Sequence, residues 1–172
     1  EGLIKGSTDD YGGNTYYFRG GVTNNYVSFA GLTWRIIRIN GDGSIRLILN
    51  SLGGQSTWNT NYTFSTLSEA ITALKYSNSD MKTAVESWYS SHIGGNSTYS
   101  SKVATTIFCN DTSHNTTTYD TSSLYAFRGY VLDYIVKEPT FVCPTSSDKI
   151  SLNVGLITSD EAYYAGAKGN GT

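Results

Sequence analysis

Four side chains, His92, Cys109, His114 and Cys143, are all the histidine and cysteine in this 172-residue chain. Structural zinc sites draw their ligands in close Cys-x-x-Cys or His-x-x-x-His pairs, and neither spacing occurs. A nucleophilic site needs a Ser or Cys within reach of a base that a third group orients. No Gly-x-Ser-x-Gly elbow is present, and Cys109 with His114 is the nearest pair in sequence. Glycoside hydrolysis needs two carboxylates at a set separation across one substrate. The acidic pairs Asp9-Asp10 and Asp160-Glu161 are chain neighbours, which rarely aim at one point; the second pair reads instead as first-turn acids favoured by a helix dipole. "NGDGS" at 40–44 lacks both the closing Glu of an EF-hand loop and the Gly-Lys-Ser/Thr of a phosphate loop, so it reads as a tight turn. These patterns predict no catalytic residue, no metal and no cofactor.

The two cysteines are read as a disulfide, with two free thiols and a zinc site as the open alternatives. In the chain-entropy view, closing a loop of about 35 residues stabilises a fold by roughly 4 kcal/mol. The enclosed "NDTSHNTTTYDTSS" is too polar to anchor itself, which gives such a staple a purpose.

The composition frames these residues. Hydrophobic residues make up 38% and charged ones only 15%, with 18 Gly and 14 Tyr, a palette unlike the charge-rich, aromatic-poor one of disordered chains. It fits a β-rich, loop-rich extracellular domain with a neutral-polar surface. The net charge is −2 and the twelve basic residues are scattered, so nothing forms the basic stripe of a nucleic-acid binder. No apolar run approaches the ~20 residues of a membrane span.

The elements that must position these residues are readable by period. "TYYFRG" and "NNYVSFAG" are aromatic and β-branched runs bounded by Gly and Asn, and read as strands; "EGLIKGSTDDYGGNT" before them reads as a turn-rich lead-in. "LTWRIIRINGDGSIRLILN" predicts an antiparallel hairpin, 33–39 with 44–50, about a turn that tolerates positive φ. Alternation puts Trp34 and Ile36 on one face, Thr33, Ile37 and Ile39 on the other, and Ile45, Leu47 and Leu49 together on the second strand. Helices are predicted at about 67–75 (Thr66 and Glu69 as a capping box), 80–92 (Ser79 as cap; Met81, Val85, Trp88 and His92 as one stripe) and 159–165 (Thr158 and Glu161 as a capping box, Gly166 as stop). "KVATTIFCN" and "LNVGLI" read as further strands, and "LYAFRGYVLDYIVKEPTFVC" returns to apolar periodicity before Pro139. The fold class expected is α+β: irregular and β-rich, with two or three short helices.

The aromatic content invites a binding role. Tyr with Ser, Gly and Asn is the palette of rigid, low-entropy contact surfaces. Trp58, Tyr62, Tyr119 and Tyr125 lie in or beside polar loops, and are the candidate ligand-binding residues.

Five stretches, "YYFRGGVTNNYVSFAGLTWRIIRINGDGSIRLIL", "MKTAVESWYSSHI", "IFCND", "PTFVCP" and "VGLITSDEAYYAG", resemble in that order a family of extracellular domains. The family occurs in surface and pilin-like proteins of Gram-positive-lineage bacteria, and is distantly similar to C-type-lectin-like and formylglycine-generating-enzyme-like folds. In it the last stretch is typically followed by a "WWT-SP"-like segment and a closing strand with "GVRPV", and this sequence has neither. The resemblance therefore implies a single extracellular domain over 1–172 that lacks a C-terminal portion. It also implies that Cys109 and Cys143 flank one variable loop, and nothing of the formylglycine enzymes' active-site pattern maps here. The expected function is a non-enzymatic binding or adhesion module on the bacterial cell surface, with a glycan or a host or cell-surface protein as partner. The alternatives are a pilin-like fibre subunit that partners copies of itself, and an enzyme, hydrolase or oxidase.

Overall fold

The computed structural model describes residues 1–61, 63–110 and 138–167. The fold is α+β. Strands β1 (Gly2–Thr8), β2 (Asn14–Arg19), β3 (Tyr26–Phe29), β4 (Leu32–Ile39) and β5 (Ile45–Leu49) form one antiparallel sheet. β4 is its centre: β3 pairs with its first half, β2 with its last residues, and β5 runs along its other edge. Strands β6 (Thr106–Cys109) and β7 (Lys149–Leu152) form a second, two-stranded sheet. Helices α1 (Leu67–Leu74), α2 (Asp80–Tyr89) and α3 (Ser97–Ser100) lie between the sheets in sequence, and α4 (Ser159–Ala165) follows β7.

Local chemistry explains most boundaries. The hairpin about Asn40–Ser44 forms as read, and Asp42 accepts from the Ser44 N–H and hydroxyl across the turn. The β3–β4 turn carries two positive φ angles, 53° at Ala30 and 73° at Gly31, the conformation a two-residue hairpin turn requires. All three predicted helix caps are made, by Thr66, Ser79 and Thr158. Only Thr158 with Glu161 closes a complete capping box; Glu69 reaches back to the Ser65 N–H instead. Predicted helix 80–92 ends as α at Tyr89 and continues as a π-helical turn over Ser90–Gly94.

Three readings are corrected. The lead-in begins with strand β1, whose adjacent Leu3 and Ile4, followed by polar residues and Gly6, give no apolar-polar alternation and so hid it in a Gly- and Asp-rich stretch. Of "LNVGLI", only Leu152 is in a strand; β7 lies over Lys149–Leu152. The third concerns which way β4 faces. The register slips between Ile36 and Arg38, a bulge that takes up one residue. Ile39 therefore shares the face of Trp34 and Ile36, and Arg38 turns to the other side, opposite Arg46.

The sheet is thus covered differently on its two faces. On one, Trp34 meets Trp88 of α2 edge-on with ring centroids 6.0 Å apart, and Phe29 meets Tyr99 of α3 at 5.8 Å. Phe64, Ala70, Tyr76 and Ile93 are the buried apolar side chains contributed by residues 64–93. On the other, α4, Phe141 and the second sheet pack over Tyr17, Arg38 and Arg46.

Candidate functional site

The residues picked out by sequence do not assemble. Trp58 is half-buried; its indole N–H donates to Leu74 O at 3.0 Å and its ring leans on Tyr76, centroids 6.0 Å apart, so it fastens a loop to the end of α1. Tyr62, Tyr119 and Tyr125 lie outside the described residues, as does His114. Cys109 and Cys143 are joined in a disulfide, Cα atoms 5.6 Å apart, which removes both the free-thiol and the zinc readings. His92 is exposed and stacked on Trp88 at 4.5 Å, with Nδ1 2.8 Å from Trp88 O.

What the fold does assemble is a buried group of charges that the sequence reading passed over. Arg38 and Arg46 sit side by side across β4 and β5, and both point at Glu161 in the first turn of α4. Glu161 Oε1 is 3.4 Å from Arg38 Nη2 and 3.1 Å from Arg46 Nη1. Its other oxygen accepts from the Thr158 N–H at 3.0 Å, completing the capping box. One carboxylate thus starts a helix and holds two strands. All three side chains are at least nine-tenths buried. The guanidiniums lie on rings, Arg46 over Phe108 at 4.0 Å and Arg38 over Phe141 at 4.8 Å, which suits their weakly hydrated faces. Arg46 also donates to Ile107 O at 2.7 Å, tying the second sheet to the first.

Carboxylates surround the pair. Asp9 accepts from the Tyr11 and Gly41 N–H groups, joining the β1–β2 turn to the β4–β5 turn. Those turns meet through Gly13 and Gly41, where a Cβ on either would collide with the other's backbone. Asp10 accepts from the Cys143 N–H and pairs with Lys149 at 3.0 Å, and Asp160 accepts from the Thr140 N–H. Burial pulls the Arg38 pKa down from its ordinary value, with Glu161 opposing and the neighbouring Arg46 adding to the fall. Burial likewise pushes the Tyr76 phenol up to about 12 and raises that of Tyr164.

Beside this cluster lies a cavity of about 30 Å³, walled by the three carboxylates Asp10, Asp160 and Glu161, the two arginines and the disulfide. It is far below the ~300 Å³ of a small-molecule pocket. Most of the polar groups that converge on it are already engaged with protein partners. Chemically the cluster is a clamp.

The opposite face of the sheet carries exposed large side chains. The register lines up Lys5, Tyr16, Ile39 and Ile45 across β1, β2, β4 and β5, with Leu3 beside Phe18 one step along. Ile45 is 55% exposed, Leu3 53% and Tyr16 37%, on the same face whose other end is covered at Trp34. The signal was present in the sequence as the Ile45-Leu47-Leu49 alternation, which put the three on one face without saying what covers it.

No family model, curated protein or solved structure matches the chain. Among the described residues no helix is long and apolar enough to cross a membrane.

Proposed function

We propose that this chain is a non-enzymatic binding or adhesion module of a bacterial cell surface, and that the uncovered part of its main sheet is the contact surface. The observation that carries the reading is the exposure of three large side chains on one face of the sheet, Leu3 on β1, Tyr16 on β2 and Ile45 on β5, the last two standing either side of Ile39 on β4. Aligned exposure of this kind marks interaction surfaces, whereas scattered single apolar residues do not. The disulfide fits an oxidising, extracellular setting, and the order of sequence motifs resembles domains of bacterial surface proteins. A flat apolar face with a tyrosine suits a protein ligand or the apolar face of a sugar ring.

The test is binding of the purified chain to an immobilised panel of glycans and host extracellular-matrix proteins. The Tyr16→Ser/Ile45→Ser double variant is run beside it. A panel member should bind the wild type and lose at least about tenfold in affinity with the variant, about 1.4 kcal/mol, while the melting temperature stays put. Equal binding by both, or by neither, sinks the proposal.

A second reading has one observation in its favour. Among the described strands β1 pairs only with β2, leaving a sheet edge of the kind another subunit's strand completes. A fibre subunit would show mass rising with concentration in light scattering, and a binding module would remain a monomer.

A further inference from the structure

The clamp leaves two of its own polar atoms short. Among the described residues Arg38 Nε–H has no hydrogen-bond acceptor, and Glu161 Oε1, though within ion-pair distance of both guanidiniums, receives no well-aligned hydrogen bond. Both residues are more than nine-tenths buried, Arg38 being 7% exposed and Glu161 5%. A buried donor and a buried acceptor left in this state each cost about 1–3 kcal/mol, so a folded protein supplies them with partners. Both residues line the 30 Å³ cavity, with Thr140 and Thr158 also in its wall. A water needs about 10–15 Å³ of such space and two to four polar neighbours.

We infer that this cavity is a water site: one or two water molecules bind between Arg38 Nε–H and Glu161 Oε1 and complete the clamp. The charges decide against an ion. An anion would face the three carboxylates of Asp10, Asp160 and Glu161. A metal ion would face the two guanidiniums, and no group of three or more His, Cys, Asp and Glu suited to a metal exists among the described residues. A neutral molecule that both donates and accepts meets neither objection, and the volume restricts it to water. Bound there, water satisfies the remaining lone pair of Glu161 Oε1. The joint between α4 and the hairpin then depends on a third, non-protein member.

The test is a high-resolution crystal structure of the wild-type chain grown with bromide, with an NMR search for contact between solvent water and the Arg38 Hε proton. A peak about 2.7–3.2 Å from both Arg38 Nε and Glu161 Oε1, no anomalous bromide signal there, and a water-to-Hε cross-peak are expected. In Arg38→Met the bridging peak should vanish while the Glu161–Arg46 pair persists. An anomalous signal in the cavity would replace water with an anion. A dry cavity, or a peak unchanged in Arg38→Met, overturns the bridge. The wild-type measurements decide the matter if that variant does not fold.

Discussion

Two rows of side chains cross the same four strands one residue apart, on opposite faces. Ile4, Tyr17, Arg38 and Arg46 form one; Lys5, Tyr16, Ile39 and Ile45 form the other. Their burial runs against their polarity. Arg38 and Arg46 are 7% and 8% exposed, whereas Ile45 is 55% exposed. The difference lies in what each face is offered. The first row receives a carboxylate from α4 and rings from Phe108 and Phe141. In the second, Lys5, Tyr16 and Ile45 stay exposed, and the ring contact with α2 on that face falls farther along, at Trp34. Hydrophobicity alone assigns the wrong face here, because a guanidinium with a paired charge and a flat ring beneath it has apolar stems to bury.

The two covered regions should also fail differently. Glu161→Gln removes the charge that both arginines share and is expected to cost about 3–5 kcal/mol, the penalty for stranding buried charge. Trp34→Ala, on the apolar side, is expected to cost about the same through its cavity, as read from urea midpoints. Rescue separates them. A triple replacement, Arg38→Met/Arg46→Met/Glu161→Leu, should recover most of the loss or exceed wild-type stability by about 1–4 kcal/mol, since a buried ion cluster often matches or trails apolar packing. If the triple variant is as unstable as Glu161→Gln, the charges are not interchangeable with packing and the contrast is broken.

Smaller effects sharpen the picture. Thr158→Ala removes the cap that orients Glu161 and is expected to cost about 1 kcal/mol by itself. A loss well beyond 2 kcal/mol in thermal melts would show that the cap also sets the clamp. Ala30→Gly, at a φ of 53°, should raise the melting temperature. Relief of the left-handed strain, about 1–2 kcal/mol, exceeds the added unfolded-state entropy of about 0.4–1 kcal/mol.

The last effect is one of pH. The Tyr76 phenol titrates at about 12 when folded and at 10.0 ordinarily, and the Tyr164 phenol is also raised. A folded pKa above the unfolded one means that stability is whole below pH 10 and declines as pH rises toward 12. Tyr76→Phe should flatten that decline and, because its hydroxyl has no hydrogen-bond partner among the described residues, should be near neutral at pH 7. A decline as steep as in wild type would assign the alkaline loss elsewhere.

The elements were legible wherever a short-range signal set them. The hairpin follows from β-branched runs about Asn40–Ser44, and α4 from Thr158, Glu161 and Gly166 within nine residues. The clamp was not, for a physical reason. A bulge of one residue at Ile37 reverses the face of Arg38, and no local pattern announces it. Glu161 was recognised as a cap, yet its second partner set lies 115 and more residues earlier, at Arg38 and Arg46. Trp88, placed by its spacing on one stripe of α2, does meet Trp34. Trp58 was chosen for its polar surroundings, where its N–H had an unforeseen partner in Leu74 O.

The disulfide has a consequence for survival under proteolysis. Cys109 and Cys143 stand 34 positions apart, with β1 to β6 before the bond and β7 and α4 after it. A protease that severs the peptide chain anywhere between them produces a nick, and the two pieces remain one molecule. Glu161 stays covalently tied to the strands that carry Arg38 and Arg46. On a gel such a molecule would run whole until reductant is added, then part into two fragments. Cleavage in that stretch would leave the attachment between helix and hairpin undivided.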